Sequence, residues 1–149
     1  MRKVLFMKGS ELRLIEYMEG SKKRFIIPVY QRNYDWKIEN CKQLYDDLIQ
    51  VIKNNSKTHF FGSIVSVYEP SGRNTEFLII DGQQRLTTMS LLFLALYNLL
   101  EEKIIISEDE SLKDQIYEDF LVDKYQPQEK RMKLKPIKND QKAFSKLFN

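Results

Sequence analysis

The stretch Phe77-Leu78-Ile79-Ile80-Asp81-Gly82-Gln83-Gln84-Arg85-Leu86-Thr87-Thr88 sets an acid, a glycine, two amides and an arginine between an apolar run and an apolar helical pattern. Gly82 lets the backbone turn sharply and removes the Cβ that would hold a ligand away. A helix that starts here presents unpaired N–H groups in its first turn, which favours an anion. Arg85 adds a planar fork that grips phosphate at two points. Gln83 and Gln84 each offer a donor and an acceptor, and Thr87 and Thr88 add hydroxyls close by. Asp81, at the end of a strand, is placed to cap the helix, hold a metal or orient a water. The plain structural alternative has Asp81 as the cap, Gly82 as the turn and Arg85 paired with a carboxylate. A cap alone does not need two consecutive glutamines.

A second polar cluster lies upstream, in Ile27-Pro28-Val29-Tyr30-Gln31-Arg32-Asn33-Tyr34-Asp35-Trp36. Arginine among aromatics at a strand end can stack a base and hold a phosphate. Tyr30, Gln31 and Arg32 are therefore candidates beside the first cluster, whereas Trp36 is expected to pack on the helix that follows it.

The elements that must position these groups follow from periodicity. Leu12–Met18 reads as a short helix. Phe25–Tyr30 reads as extended, and Pro28 marks it as an edge strand or a strand end. Residues 38–53 carry apolar side chains at the three-four spacing of a helix with one buried face. Phe60–Tyr68 and Glu76–Ile80 are strand-like, and the turn residues between them imply an antiparallel hairpin. Leu86–Leu100 is apolar almost all round, as a central helix would be. Leu112–Val122 is amphipathic, Lys133–Pro136 reads as a short strand, and Asn139 or Asp140 is expected to cap a last helix.

Composition sets the bounds. The chain has 149 residues, enough for one domain that buries about 70% of its unfolded surface. Its 24 basic and 21 acidic side chains leave a net charge of +3, too small to establish a nucleic-acid partner without a clustered distribution. The one cysteine, Cys41, excludes an internal disulfide and fits a reducing, cytoplasmic setting. It reads as a packing residue. The longest apolar run falls far short of the ~20 residues a membrane helix needs. The one histidine, His59, has no ligand-spaced neighbours and reads as structural.

Taken in order, IPVYQRNYDW, FFGSIV and IIDGQQRLTTMSLLFLAL closely resemble the N-terminal domain of GmrSD-type restriction proteins, and RMKLKPIKNDQKAFSKLF fits the same pattern. The resemblance covers about residues 10–149. It implies an α+β domain of ParB/sulfiredoxin-like fold, a small mixed sheet with an antiparallel hairpin packed against helices. It also implies a nucleoside-triphosphate site lined by Gly82, Gln83, Gln84 and Arg85. On that reading Thr87, Thr88, Tyr30, Gln31 and Arg32 complete the nucleotide site, Asp81, Gln84 and Arg85 carry catalysis, and Asp81 holds Mg2+. Gln83 stands where sulfiredoxin has its catalytic cysteine, so sulfinic-acid reduction is not expected.

The family's domains are linked to NTP binding or hydrolysis and to restriction of modified phage DNA. Cleavage is assigned to a separate HNH-type nuclease domain. Such a site needs histidines and a metal, so residues 1–149 are expected to be the N-terminal part of a longer chain and not themselves a nuclease. The expected function is an NTP-hydrolysing regulatory module, with the C-terminal nuclease domain, modified DNA or a second copy as partners. The alternative is a ParB-type DNA-binding module without turnover. It would use two basic stretches, Lys22, Lys23, Arg24 and Arg32, and Lys130, Arg131, Lys133, Lys135 and Lys138. An interaction domain without activity is a third reading.

Overall fold

The apolar run before Asp81 lies in strand β3 (Asn74–Asp81), an inner strand of a four-stranded mixed sheet. The computed structural model describes residues 13–55 and 62–148. Strand β3 pairs antiparallel with β2 (Val65–Ser71) and parallel with β1 (Lys23–Ile26), which in turn pairs parallel with the short β4 (Leu134–Lys135). The expected hairpin is present, but its strands run on until only Gly72-Arg73 remains as the turn. Gly72 takes φ +65° at the first of the two turn positions, where a tight hairpin accepts glycine best. The upstream strand was expected to start at Phe60. Phe60, Phe61 and His59 lie outside the described residues, and β2 begins at Val65.

Of the two readings of Pro28, strand β1 meets the strand end and not the edge strand. It ends at Ile26 and lies inside the sheet, in the order β2-β3-β1-β4. Pro28 falls just beyond it, where its missing N–H costs no ladder bond. A short helix α1 (Leu14–Met18) precedes β1 and buries Met18. Helix α2 (Ile38–Lys53) lays Leu44 and Leu48 on the core, and Trp36 packs against the same cluster as expected. Helix α3 (Gln83–Glu101) buries Leu86 and Met89 against Phe25 and Ile79 of the sheet cluster.

Helix α4 (Leu112–Ile116) widens into a π-helical turn over Tyr117–Leu121 and closes a second cluster with Leu94, Ile116, Leu121 and Val122. The last helix, α5, spans Lys138–Lys146 and takes Ile137 at its cap position, with no side-chain cap. Asp140, expected as the cap, instead accepts the Tyr34 N–H at 2.8 Å. Among the described residues, no helix is long and apolar enough to cross a membrane.

Lys133 also corrects the sequence reading. The basic stretch proposed for DNA contact includes it, yet it is 1% exposed. Its ammonium donates to the carbonyls of Met18 and Gly20, each at 2.6 Å, and to that of Asp119. Three N–H donors meet three carbonyls, so the bonds replace the hydration that burial removes. This joins α1, the loop before β1 and the π-helical turn to the start of β4. Arg24 likewise turns to the carbonyls of Glu129 at 3.2 Å and Met132 at 3.4 Å.

Burial pulls the Lys133 ammonium down from 10.5 to about 8, the nearby Lys23 adds to this, and the acids Asp119, Asp123 and Glu19 oppose it. The group is therefore still charged at neutral pH. Lys133→Met leaves three carbonyls without their donor, and should lower stability by roughly 3 kcal/mol or more. In urea denaturation the midpoint falls while the slope is kept. Between the folded value of about 8 and the unfolded 10.5, the unfolded chain binds more protons. This contribution to stability therefore rises with pH across that window and is absent in the variant.

Candidate phosphate site at the β3–α3 turn

Gly82 makes the turn from β3 into α3 with φ +96° and ψ 13°, a left-handed conformation that glycine adopts without Cβ strain. Its carbonyl accepts the first helical bond, from Leu86 N at 3.0 Å. No side chain caps the helix. The exposed Asp81 does not cap it either, because Asp81 Oδ1 accepts the neighbouring Gly82 N–H at 2.9 Å. The first-turn amides of α3 thus have no side-chain acceptor.

The space left by the missing Cβ of Gly82 is used by the chain itself. A Cβ there would lie 3.0 Å from Ser63 O and 3.0 Å from Ile64 Cγ1. Gly62, at φ +101°, gives room in the other direction, since a Cβ on it would lie 2.8 Å from Arg85 Cζ. The residues just before β2 therefore lie across the turn, with the Arg85 guanidinium against Gly62. None of the ion pairs among the described residues uses Arg85.

The two glutamines face inward. Gln83 is 8% and Gln84 6% exposed. Gln83 Nε2 donates to Arg32 O at 2.9 Å, and Gln84 Nε2 donates to Asn33 O at 3.2 Å. Gln84 Oε1 accepts the Asp35 N–H at 3.1 Å. In return, Gln31 Nε2 donates to Ile80 O at 2.8 Å. The two sequence clusters are thus brought together, stitched by side-chain-to-backbone bonds in both directions.

Thr88 and Tyr34 extend the seam. Thr88 Oγ1 donates to Gln84 O at 2.7 Å and lies 2.8 Å from Tyr34 Oη. With the Thr88 proton so used, Tyr34 donates to Thr88, and the Cys41 thiol, 3.2 Å away, donates to Tyr34. Burial first, then the contact with Cys41, pushes the Tyr34 hydroxyl up to about 12. Thr87 is buried. Arg32 stays at the surface, its Nη1 3.3 Å from Asp35 Oδ2, and Tyr30 is 70% exposed.

Asp81, Arg85, Arg32, Tyr30 and the α3 amides therefore remain to meet a ligand, while Gln83, Gln84, Gln31 and Thr88 hold the scaffold. Sequence reasoning missed Gly62 and Asp35, and gave Asp140 a cap role in place of its bond to Tyr34. Only Gly62 carried a signal, as an isolated glycine in a strand-like run. Among the described residues no three His, Cys, Asp or Glu side chains group as a metal site.

A sheet with this hairpin and a strand–glycine–helix turn defines a class of α+β domain, and comparison with known families makes it specific. Residues 14–149 match the family described as GmrSD restriction endonuclease, N-terminal domain. The chain belongs to that family. No curated protein matches it.

Gln84→Ala removes two of the stitches. The Asp35 amide should then exchange with solvent about 10- to 100-fold faster, as loss of one or two partly buried hydrogen bonds implies. Residue-resolved hydrogen exchange checks this, and unchanged protection at Asp35 would refute the anchoring role.

Proposed function

We propose that this domain binds a nucleoside triphosphate at the β3–α3 turn and hydrolyses it, as a regulatory module in a restriction system. Family membership ties the domain to restriction. The observation that carries the nucleotide reading is the placement of Arg85, unpaired with any described carboxylate, in the first turn of an uncapped helix. Helix amides and a guanidinium together make an anion site. The stitched loop adds Arg32 as a second cation and Tyr30 as an exposed ring for a base.

Phosphoryl transfer relies mainly on positioning and on charge stabilisation. In this reading Arg85 and the amides hold the phosphates, and Arg32 closes the site. Asp81 serves Mg2+ or orients water. Mg2+ uses one or two carboxylates and completes its shell with phosphate oxygens and waters, so a single exposed acid suits it. The ion would neutralise phosphate charge. Gln84, expected among the catalytic groups, takes a positioning role, because both its amide atoms bind the loop backbone.

A second reading, contact with DNA phosphates, draws on a groove at the other end of β1. Lys22, Lys23, Arg24 and Lys130 line it together with Glu76 and Asp123, so residues from both basic stretches converge there beside two acids. Affinity based on such contacts would fall steeply with salt. In either case strand cleavage falls to a nuclease domain beyond these residues.

Binding and phosphate release with ATP, GTP, UTP and CTP in magnesium test the main reading. Arg85→Ala should weaken binding at least about tenfold and abolish turnover, with native circular dichroism retained. A folded wild-type chain that binds none of the four refutes the nucleotide site and leaves salt-dependent DNA binding as the reading to test.

A further inference from the structure

Helix α2 has two apolar faces, and the core uses only one. Leu44 and Leu48 pack inward. Ile38, Tyr45 and Ile52 are 83%, 51% and 72% exposed. At about 100° per residue these three, with the half-buried Ile49, fall within roughly 60° of one another. They form a continuous outward stripe beside the buried face. Isolated exposed apolar residues are ordinary, but a stripe along a whole helix marks a contact surface.

We propose that this stripe is a self-association surface, with two copies packing their α2 helices antiparallel about a two-fold axis at Tyr45. Ile38 and Ile52 stand seven residues either side of Tyr45, about 10.5 Å along the helix. The axis therefore sets each Ile38 over the partner's Ile52, and Tyr45 over the partner's Tyr45. An interface of this kind must be complementary to itself, and the charges beside the stripe meet that demand.

Glu39, Lys42, Asp46 and Lys53 all flank the stripe on the side away from the core. In the antiparallel register Lys53 lies two residues, about 3 Å along the axis, from the partner's Glu39. Lys42 has the same offset from the partner's Asp46. The two Asp46 carboxylates meet near the axis, each between its own Lys42, with which it pairs within the chain, and the partner's Lys42.

A 16-residue helix is about 24 Å long, so the seam lies at the small end of specific interfaces, under roughly 1,200 Å² in total. The expected dimer is reversible and depends on concentration.

Sedimentation equilibrium of the 149-residue chain, from about 1 to 500 µM at low salt, reads the association. The wild type should pass from monomer to dimer, and Tyr45→Lys should associate at least about tenfold more weakly. Glu39→Lys alone and Lys53→Glu alone each set like charges across the seam, and each should self-associate less than wild type. Mixed in equal amounts, they should form a heterodimer, because each then meets opposite charge in both contacts. Both positions are exposed, and native circular dichroism verifies the fold. A wild-type chain that stays monomeric throughout overturns the proposal, leaving the stripe to another occupant. So does a mixture that associates no better than its components.

Discussion

The arrangement of the turn depends on two buried amides that must be satisfied. Gln83 and Gln84 lie under the first turn of α3, out of water, and an unpaired amide there would cost more than a made bond returns. Their partners are backbone groups of Arg32, Asn33 and Asp35, so the loop cannot leave without exposing or orphaning them. Each bond contributes about 1 kcal/mol by itself. Because they share one loop and one helical turn, they act together. Tyr34 extends the same unit toward Thr88 and Cys41 through its ring hydroxyl, and toward α5 through its amide and Asp140. A loop that reads as irregular is in this way held from three elements.

The placement of Arg85 follows from the same packing. Gly62 and Gly82 each omit a Cβ where another part of the chain would collide with it. Their absence lets the residues before β2 lie across the turn and lets the Arg85 guanidinium rest on backbone instead of on a carboxylate. A guanidinium beside a glycine backbone, outside any ion pair among the described residues, retains the charge that a carboxylate would have balanced. That separates an arginine available to an anion from one that only stabilises the fold. The close approach expected for a ligand at Gly82 is in fact made by Ser63 and Ile64.

The opposite end of the sheet solves a different problem. Strand β4 is only two residues long, too short to hold its place by ladder bonds alone. Lys133, immediately before it, supplies three further bonds to segments that do not belong to the sheet. A lysine suits this task because its ammonium offers three donors on a long apolar stem, and that ammonium lies over the Phe25 ring, 6.0 Å from its centre. The cost of burying the charge shows in its lowered proton affinity.

What could be read in the sequence was what neighbours along the chain determine. The hairpin, the apolar face of α2, the central helix after Asp81 and the short strand at Leu134 all follow from local spacing. The missed features have partners far along the chain. The interior position of β1 depends on Thr75 to Leu78 on one side and Leu134 on the other, and nothing in Lys23–Ile26 reveals either. At the turn, residue types named the chemistry but not its direction. Glutamine beside a glycine turn reads equally well as a ligand contact or as an anchor, and only the position of the loop some 50 residues upstream distinguishes the two. Lys133 is the extreme case. All three of its acceptors are main-chain carbonyls, which every residue carries, so no side chain elsewhere in the sequence marks the partner of a buried charge.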